Sequence, residues 1–155
     1  MKVAILMGSA SDREMVAAAV PYLEQFGIDY EMEVISAHRD PERLGEYARN
    51  LRQRGFFAVI GAAGMANHLA GTLAAKSDLP VIGVPLPGGM LDGLDALLST
   101  VQMPKGVPVA AMSVGKAGVI NAAVFAARIA ALQDAAVAER LTAFIAAGCR
   151  LNESS

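Results

Sequence analysis

The sequence predicts a three-layer α/β fold: an open parallel sheet of five strands, helices on both faces, and a C-terminal helical extension. Three observations lead there. Short β-rich runs alternate with longer helical ones along the chain, the pattern of repeated right-handed crossovers between parallel strands. Val3-Ala4-Ile5-Leu6-Met7 is apolar throughout, as a strand covered on both faces must be. Tyr30-Glu31-Met32-Glu33-Val34 alternates with period two, which marks a strand at a sheet edge.

The elements follow in order. After the first strand, Gly8-Ser9-Ala10 leads into Ser11-Asp12-Arg13-Glu14, the S-x-x-E form of a helix capping box. Val16, Val20 and Leu23 continue at helical spacing until Gly27 stops the helix. Beyond the second strand, Asp40-Pro41 forms an N-cap with proline at the first helical position, and Leu44, Tyr47, Ala48 and Leu51 share one face up to Gly55. Phe57 to Ile60 is the third strand, Gly61 to Gly64 the loop after it, and Ala66 to Lys76 a helix. Val81 to Val84 is the fourth strand. The irregular stretch Pro85 to Pro108 holds a short helical piece around Leu91 to Leu98, and its Pro, Gly and Met content fits a functional loop. Val109 to Val114 is the fifth strand. Lys116 to about Ala147 reads as helix broken near Gln133-Asp134, and Asn152 to Ser155 as a frayed polar tail. With the second strand at an edge, the expected order is 2-1-3-4-5, the flavodoxin-like, Rossmann-like arrangement.

Composition excludes several classes. The 155 residues are 54% hydrophobic and 18% charged, which rules out disorder and gives one domain spanning 1–155. The single cysteine, Cys149, excludes a disulfide scaffold and any cysteine-built metal cluster. A formal net charge of −2 argues against a nucleic-acid or anionic-membrane binder, while leaving room for a local anion pocket. No apolar run approaches the ~18–20 residues of a membrane span. The apolar start is too short for a signal-peptide core. A cytoplasmic protein is expected.

Ligands of open parallel sheets bind at the carboxyl ends of the strands. That rule selects Gly8 to Asp12, Ser36 to Arg39, Gly61 to His68, Pro85 to Gly89 and Ser113 to Gly115. Both histidines of the chain, His38 and His68, lie there, with Ser9, Ser11, Ser36 and Arg39. Backbone N–H groups and serine hydroxyls in the first loop can hold a phosphate at a helix start; Ser11 can equally serve as a cap. Asp12 would repel a phosphate, so a ribose hydroxyl suits it better, unless it only complements the helix dipole. Arg39 offers a planar, permanently charged fork for phosphate oxygens. His38 is the side chain best able to move a proton near neutrality, with helix capping as the alternative. His68 sits at a helix start and can bond locally instead.

No P-loop, post-strand G-x-G-x-x-G, paired-histidine metal motif or G-x-S-x-G elbow occurs. What remains is proton chemistry on an anionic small molecule, with no cofactor and no metal.

Met7 to Asp12, Ser36-Ala37-His38-Arg39, the stretch ending Asn67-His68-Leu69-Ala70-Gly71, Val101-Gln102-Met103-Pro104-Lys105-Gly106 and Gly115-Lys116-Ala117-Gly118 together resemble the PurE family of purine biosynthesis over essentially the whole chain. His68, Val101 to Pro104 and Gly115 to Gly118 match the class I branch, the N5-carboxyaminoimidazole ribonucleotide (N5-CAIR) mutases. Gly64-Met65-Ala66-Asn67-His68-Leu69-Ala70-Gly71 stands where class I chains usually read Gly-Gly-Ala-Ala-His-Leu-Pro-Gly.

The resemblance implies an isomerase that converts N5-CAIR to 4-carboxyaminoimidazole ribonucleotide (CAIR) through CO2, without cofactor. It implies phosphate binding by Ser11, Ser36 and Arg39, nucleotide contacts from Ser9 and Asp12, and contacts to the base and carboxylate from Gly64, His68 and Leu69. His38 becomes the catalytic acid/base. A homo-octamer is implied as well; Ala122, Ala123, Ala126, Ala127, Ala130 and Ala131 would let helices of neighbouring subunits approach closely, or would pack within the chain. The competing expectations are a class II carboxylase using free CO2 and a non-catalytic nucleotide-binding module.

Overall fold

The computed structural model describes residues 1–151; the tail from Asn152, expected to fray, lies outside the described residues. Five strands, β1 (Lys2–Met7), β2 (Asp29–Val34), β3 (Phe56–Ala63), β4 (Val81–Pro85) and β5 (Ala110–Ala111), form one sheet in the order β2-β1-β3-β4-β5. Every pairing is parallel. The expected topology is therefore the observed one.

Alternation along β1 builds two cores. Val3, Ile5 and Met7 face one layer, with Val16, Leu23, Phe26 and the alanines of the long helix near the C-terminus. Ala4 and Leu6 face the other, with Leu44, Ala48, Leu51, Leu69 and Leu73. The first layer is α1 (Arg13–Val16), α2 (Val20–Phe26), α6 (Lys116–Ala130) and α7 (Ala135–Ala146). The second contains α3 (Pro41–Asn50) and α4 (His68–Lys76); α5 (Leu94–Val101) packs against α4 and β4. All five β1 core side chains are at 0% exposure, each such burial contributing ~1.5–3 kcal/mol for the larger ones. The polar alternation of β2 has its cause in position: as an edge strand it leaves Glu31 and Glu33 half-buried, paired to Lys2, Arg54 and Arg43.

Local expectations need three corrections. The S-x-x-E segment does not form a capping box. Ser9, extended at φ −144°, is the cap, its Oγ accepting from Ser11 N, and one 3-10 turn precedes α1. Gly61, Ala62 and Ala63 are not a loop but the buried end of β3, paired to Gly83, Val84 and Pro85. The fifth strand shrinks to two residues because only Ile82 and Gly83 of β4 present partners to it. Gly27, at φ +68°, ends α2 as expected, since a left-handed residue cannot continue the helix.

The alanine stripe also resolves. Ala122, Ala123, Ala126, Ala127 and Ala130 are all at 0% exposure inside the first core, so they bring α6 onto the chain's own sheet. Gly118, in the first turn of α6, packs tightly on the loop leading into it: a Cβ there would lie 1.7 Å from the Ser113 carbonyl oxygen.

Candidate active site

In this strand order the chain leaves β1 and β3 in opposite directions, so their carboxyl ends open a crevice. Met7 at the end of β1 pairs with Val34 of β2 on one side and Ala62 of β3 on the other. The three loops carrying the expected site residues thus begin side by side. Gly8 belongs to this packing: a Cβ on it would press to 3.3 Å from the Ala63 Cβ.

The β1 loop gathers hydroxyls. Ser11 Oγ donates to Ser9 Oγ at 2.8 Å and also lies 3.4 Å from Asp12 Oδ1. Burial pushes the Asp12 carboxyl up, against the opposing hydrogen bonds from the Ser11 side chain and the Ser9 backbone. In the β2 loop, Arg39 N donates to Ser36 Oγ at 3.2 Å and Asp40 N to Ser36 O at 2.9 Å, which folds the segment into a tight turn. Asp40 makes no side-chain cap to α3, so the turn is held from Ser36. The turn leaves His38 and the Arg39 side chain exposed. Arg39 takes part in none of the four ion pairs among the described residues and is available to an anion.

His38 and His68 meet. Their loops flank β1, yet His38 Nε2 lies 3.1 Å from His68 Nδ1, a hydrogen bond whose direction depends on the tautomers. A neutral imidazole carries one donor and one acceptor, so this contact suits a pair that hands a proton between rings. His68 opens α4, where the first backbone N–H groups have no helical acceptor and form the positive end of the helix dipole. Leu69 is 1% exposed in the second core, so its side chain is structural and only its backbone is offered at that helix start. Gly64 sits between, within the turn closed by Asn67 N donating to Gly64 O at 3.1 Å.

The expected residues on β1, β2 and β3 therefore converge on one rim. The sequence matches the AIR carboxylase family over residues 2–148. The chain belongs to that family. An N5-carboxyaminoimidazole ribonucleotide mutase of Saccharolobus solfataricus is 50% identical over 143 residues, 92% of this chain and 89% of its own. Those of Bacillus subtilis (50%; 90% of this chain and 86% of its own) and Pyrococcus abyssi (52%; 90% and 79%) are similarly near. The crystal structure of Treponema denticola PurE superposes with a TM-score of 0.84 at 28% identity, covering 96% of this chain and 91% of that one. With this AIR carboxylase family established, the rim is the place to look for its chemistry.

Two features of this family member escape a linear reading. A groove of about 810 Å³ runs beside the rim between α1, α2 and α6; it includes Ser11, Tyr22 and Lys116 but not His38. The turn into α4 is also held from a distance: Asn67 Nδ2 donates to Thr100 Oγ1 at 2.6 Å, a contact between residues 33 apart in sequence. Only the polarity of Asn67 in an otherwise small and apolar stretch marks it in the sequence. No helix of the described residues is long and apolar enough to cross a membrane.

Proposed function

We propose that the chain isomerises N5-CAIR to CAIR, with His38 as the acid/base at the rim where β1, β2 and β3 end. The observation that carries this reading is the His38–His68 contact at 3.1 Å, beside an uncommitted guanidinium and a cluster of serine hydroxyls. Relatives near 50% identity bearing the mutase name support it.

In this reading the phosphate lies among Ser11, Ser36 and Arg39, and Ser9 and Asp12 meet the sugar side of the nucleotide. The aminoimidazole ring lies along Gly64, the His68 ring and the Leu69 backbone. Protonated His38 delivers its proton to N5 as the N5–carboxylate bond breaks; the bonding pair stays on nitrogen and CO2 departs. C4 of the ring then attacks CO2 with its π electrons. Neutral His38 removes the C4 proton, restoring aromaticity and its own charge, so the proton balance closes over one turnover. Keeping CO2 beside C4 makes the second step effectively intramolecular, for which effective molarities of ~10⁵ M or more are attainable. His68, hydrogen-bonded to His38, holds that ring in orientation.

One unit of 155 residues carries this activity in the cytoplasm, and the subunits assemble as homo-octamers. Met65, Met90 and Leu91, exposed at 65%, 71% and 75% near the rim, are the apolar surface such an assembly needs. The test is direct. Purified protein given N5-CAIR should form CAIR faster than protein given aminoimidazole ribonucleotide with bicarbonate. Preference for the second pair identifies a carboxylase instead, and binding of the nucleotide without turnover of either identifies a non-catalytic module.

A further inference from the structure

The turn that delivers His68 is strained. Met65 and Asn67 both have positive φ, 51° and 25°, in a segment that supplies no glycine at either position. Such backbone persists only where its surroundings over-determine it. Asn67 occupies the cap position of α4, but its carboxamide does not cap the helix. It turns inward, 3% exposed, and Nδ2 donates to Thr100 Oγ1. Thr100, itself at 0% exposure, donates onward to Ala96 O at 2.7 Å within α5.

The far end of this link is fixed in turn. A Cβ on Gly83 of β4 would lie 2.5 Å from Thr100 Cγ2, so glycine at 83 is what lets α5 seat Thr100 against the sheet. The series sheet, Thr100, Asn67, His68, His38 is therefore continuous contact or covalent neighbourhood throughout. Asn67 Oδ1 is buried without a hydrogen-bond partner among the described residues, so the hold of this side chain on α5 is the single Nδ2–Thr100 Oγ1 bond.

We propose that Asn67 and Thr100 are a positioning pair: their hydrogen bond locks the strained turn that presents the His68 imidazole to His38. The inference rests on the proposed roles of the two histidines and adds two residues that touch neither substrate nor the reacting atoms.

The test uses the full-length protein. Because the chain has two histidines, isotope-labelled histidine gives two imidazole signals, which His38→Asn assigns. In the parent protein, the two rings, 3.1 Å apart at their nearest nitrogens, should each perturb the signal of the other, read as cross-relaxation between them. Thr100→Val removes the acceptor at nearly constant volume, and Asn67→Gly removes the amide while accepting positive φ without strain. Both variants should lose the mutual perturbation and lower kcat for N5-CAIR about 10- to 100-fold, the scale of a small misplacement of a catalytic group, with KM little changed. Thr100→Ser should restore both readouts. Should Thr100→Val fail to fold, Asn67→Gly decides alone. Folded variants that melt earlier yet keep the ring coupling and kcat overturn the proposal and leave the pair a purely structural contact. Full turnover by His38→Asn would instead defeat the histidine chemistry, and the ring spectra would still decide for or against the Asn67–Thr100 link.

Discussion

His38 Nε2 stands 3.1 Å from His68 Nδ1, with ring centroids 5.1 Å apart and planes inclined at 50°. One nitrogen must donate and the other accept, so the contact exists only while at least one ring is neutral. Two doubly protonated rings would face each other with two donors and like charge, and would separate.

Replacing His38 by Asn keeps a hydrogen-bonding group near its position but removes the proposed proton carrier. Turnover of N5-CAIR should fall by about 10²–10⁴-fold, the range of the general acid–base contribution, while nucleotide affinity is largely retained. Equilibrium binding and steady-state rates on the same preparation check this; an unchanged rate would remove His38 from the mechanism.

Arg39 has a different expected signature. Its exposed side chain is held near the rim by the Ser36 turn, so Arg39→Ala should weaken nucleotide binding and spare the chemical step. Loss of a charge-assisted bond of ~1.5–3 kcal/mol predicts roughly a 10- to 100-fold rise in Kd. Arg39→Lys should recover only part, because an ammonium lacks the planar fork. Calorimetry with the ribonucleotide reads both, and an unaltered Kd for Arg39→Ala would refute the phosphate role.

Acid should loosen the edge of the sheet through Glu31. The Tyr47 hydroxyl first, then Lys2 and Arg54, hold its carboxyl at about 2 against a desolvation that works the other way. A carboxyl lower in the folded than in the unfolded chain stabilises above its unfolded value of 4.5 and loses that contribution as pH falls toward about 2. Asp12, raised by burial, has the opposite sign and does not add to this loss. Melting temperatures of the parent and Glu31→Gln should differ most near neutrality and converge between pH 4.5 and about 2. A constant difference across that window would contradict the network.

Gly118→Ala should be poorly tolerated. The added Cβ would meet the Ser113 carbonyl oxygen at 1.7 Å, a backbone atom that cannot rotate aside. Overpacking of this kind costs ~1–3 kcal/mol or more, and urea unfolding would show it as a lower midpoint. Equal stability would mean that the Ser113 carbonyl sits further from the first turn of α6.

Much of the fold was legible in order along the chain, because its signals are local. The all-apolar run Val3 to Met7 and the alternating run Tyr30 to Val34 separate a central from an edge strand by side-chain period alone. Asp134 shows the same: its carboxylate accepts from Ala136 N and Val137 N and starts α7 where the helical pattern breaks. Failures occurred where two patterns were chemically alike. Gly61 to Ala63 carry small side chains that suit a loop, yet they pair as strand because β4 lies beside them. Ser11 and Glu14 have capping-box spacing, but Ser9, two positions earlier, already accepts from the Ser11 N–H.

By itself the sequence determined the topology, the family, and the set of rim residues, since periodicity, turn chemistry and the carboxyl-end rule all act through neighbours in the chain. It also named His38 and His68, but as separate groups with separate alternatives. Tertiary structure alone decided that the two imidazoles touch, that Leu69 belongs to the core, that the alanines of α6 pack inward, and that Thr100 grips Asn67. Each of these depends on a distance between residues far apart in sequence, and such distances are set by how layers seat on the sheet, a quantity that no local pattern encodes.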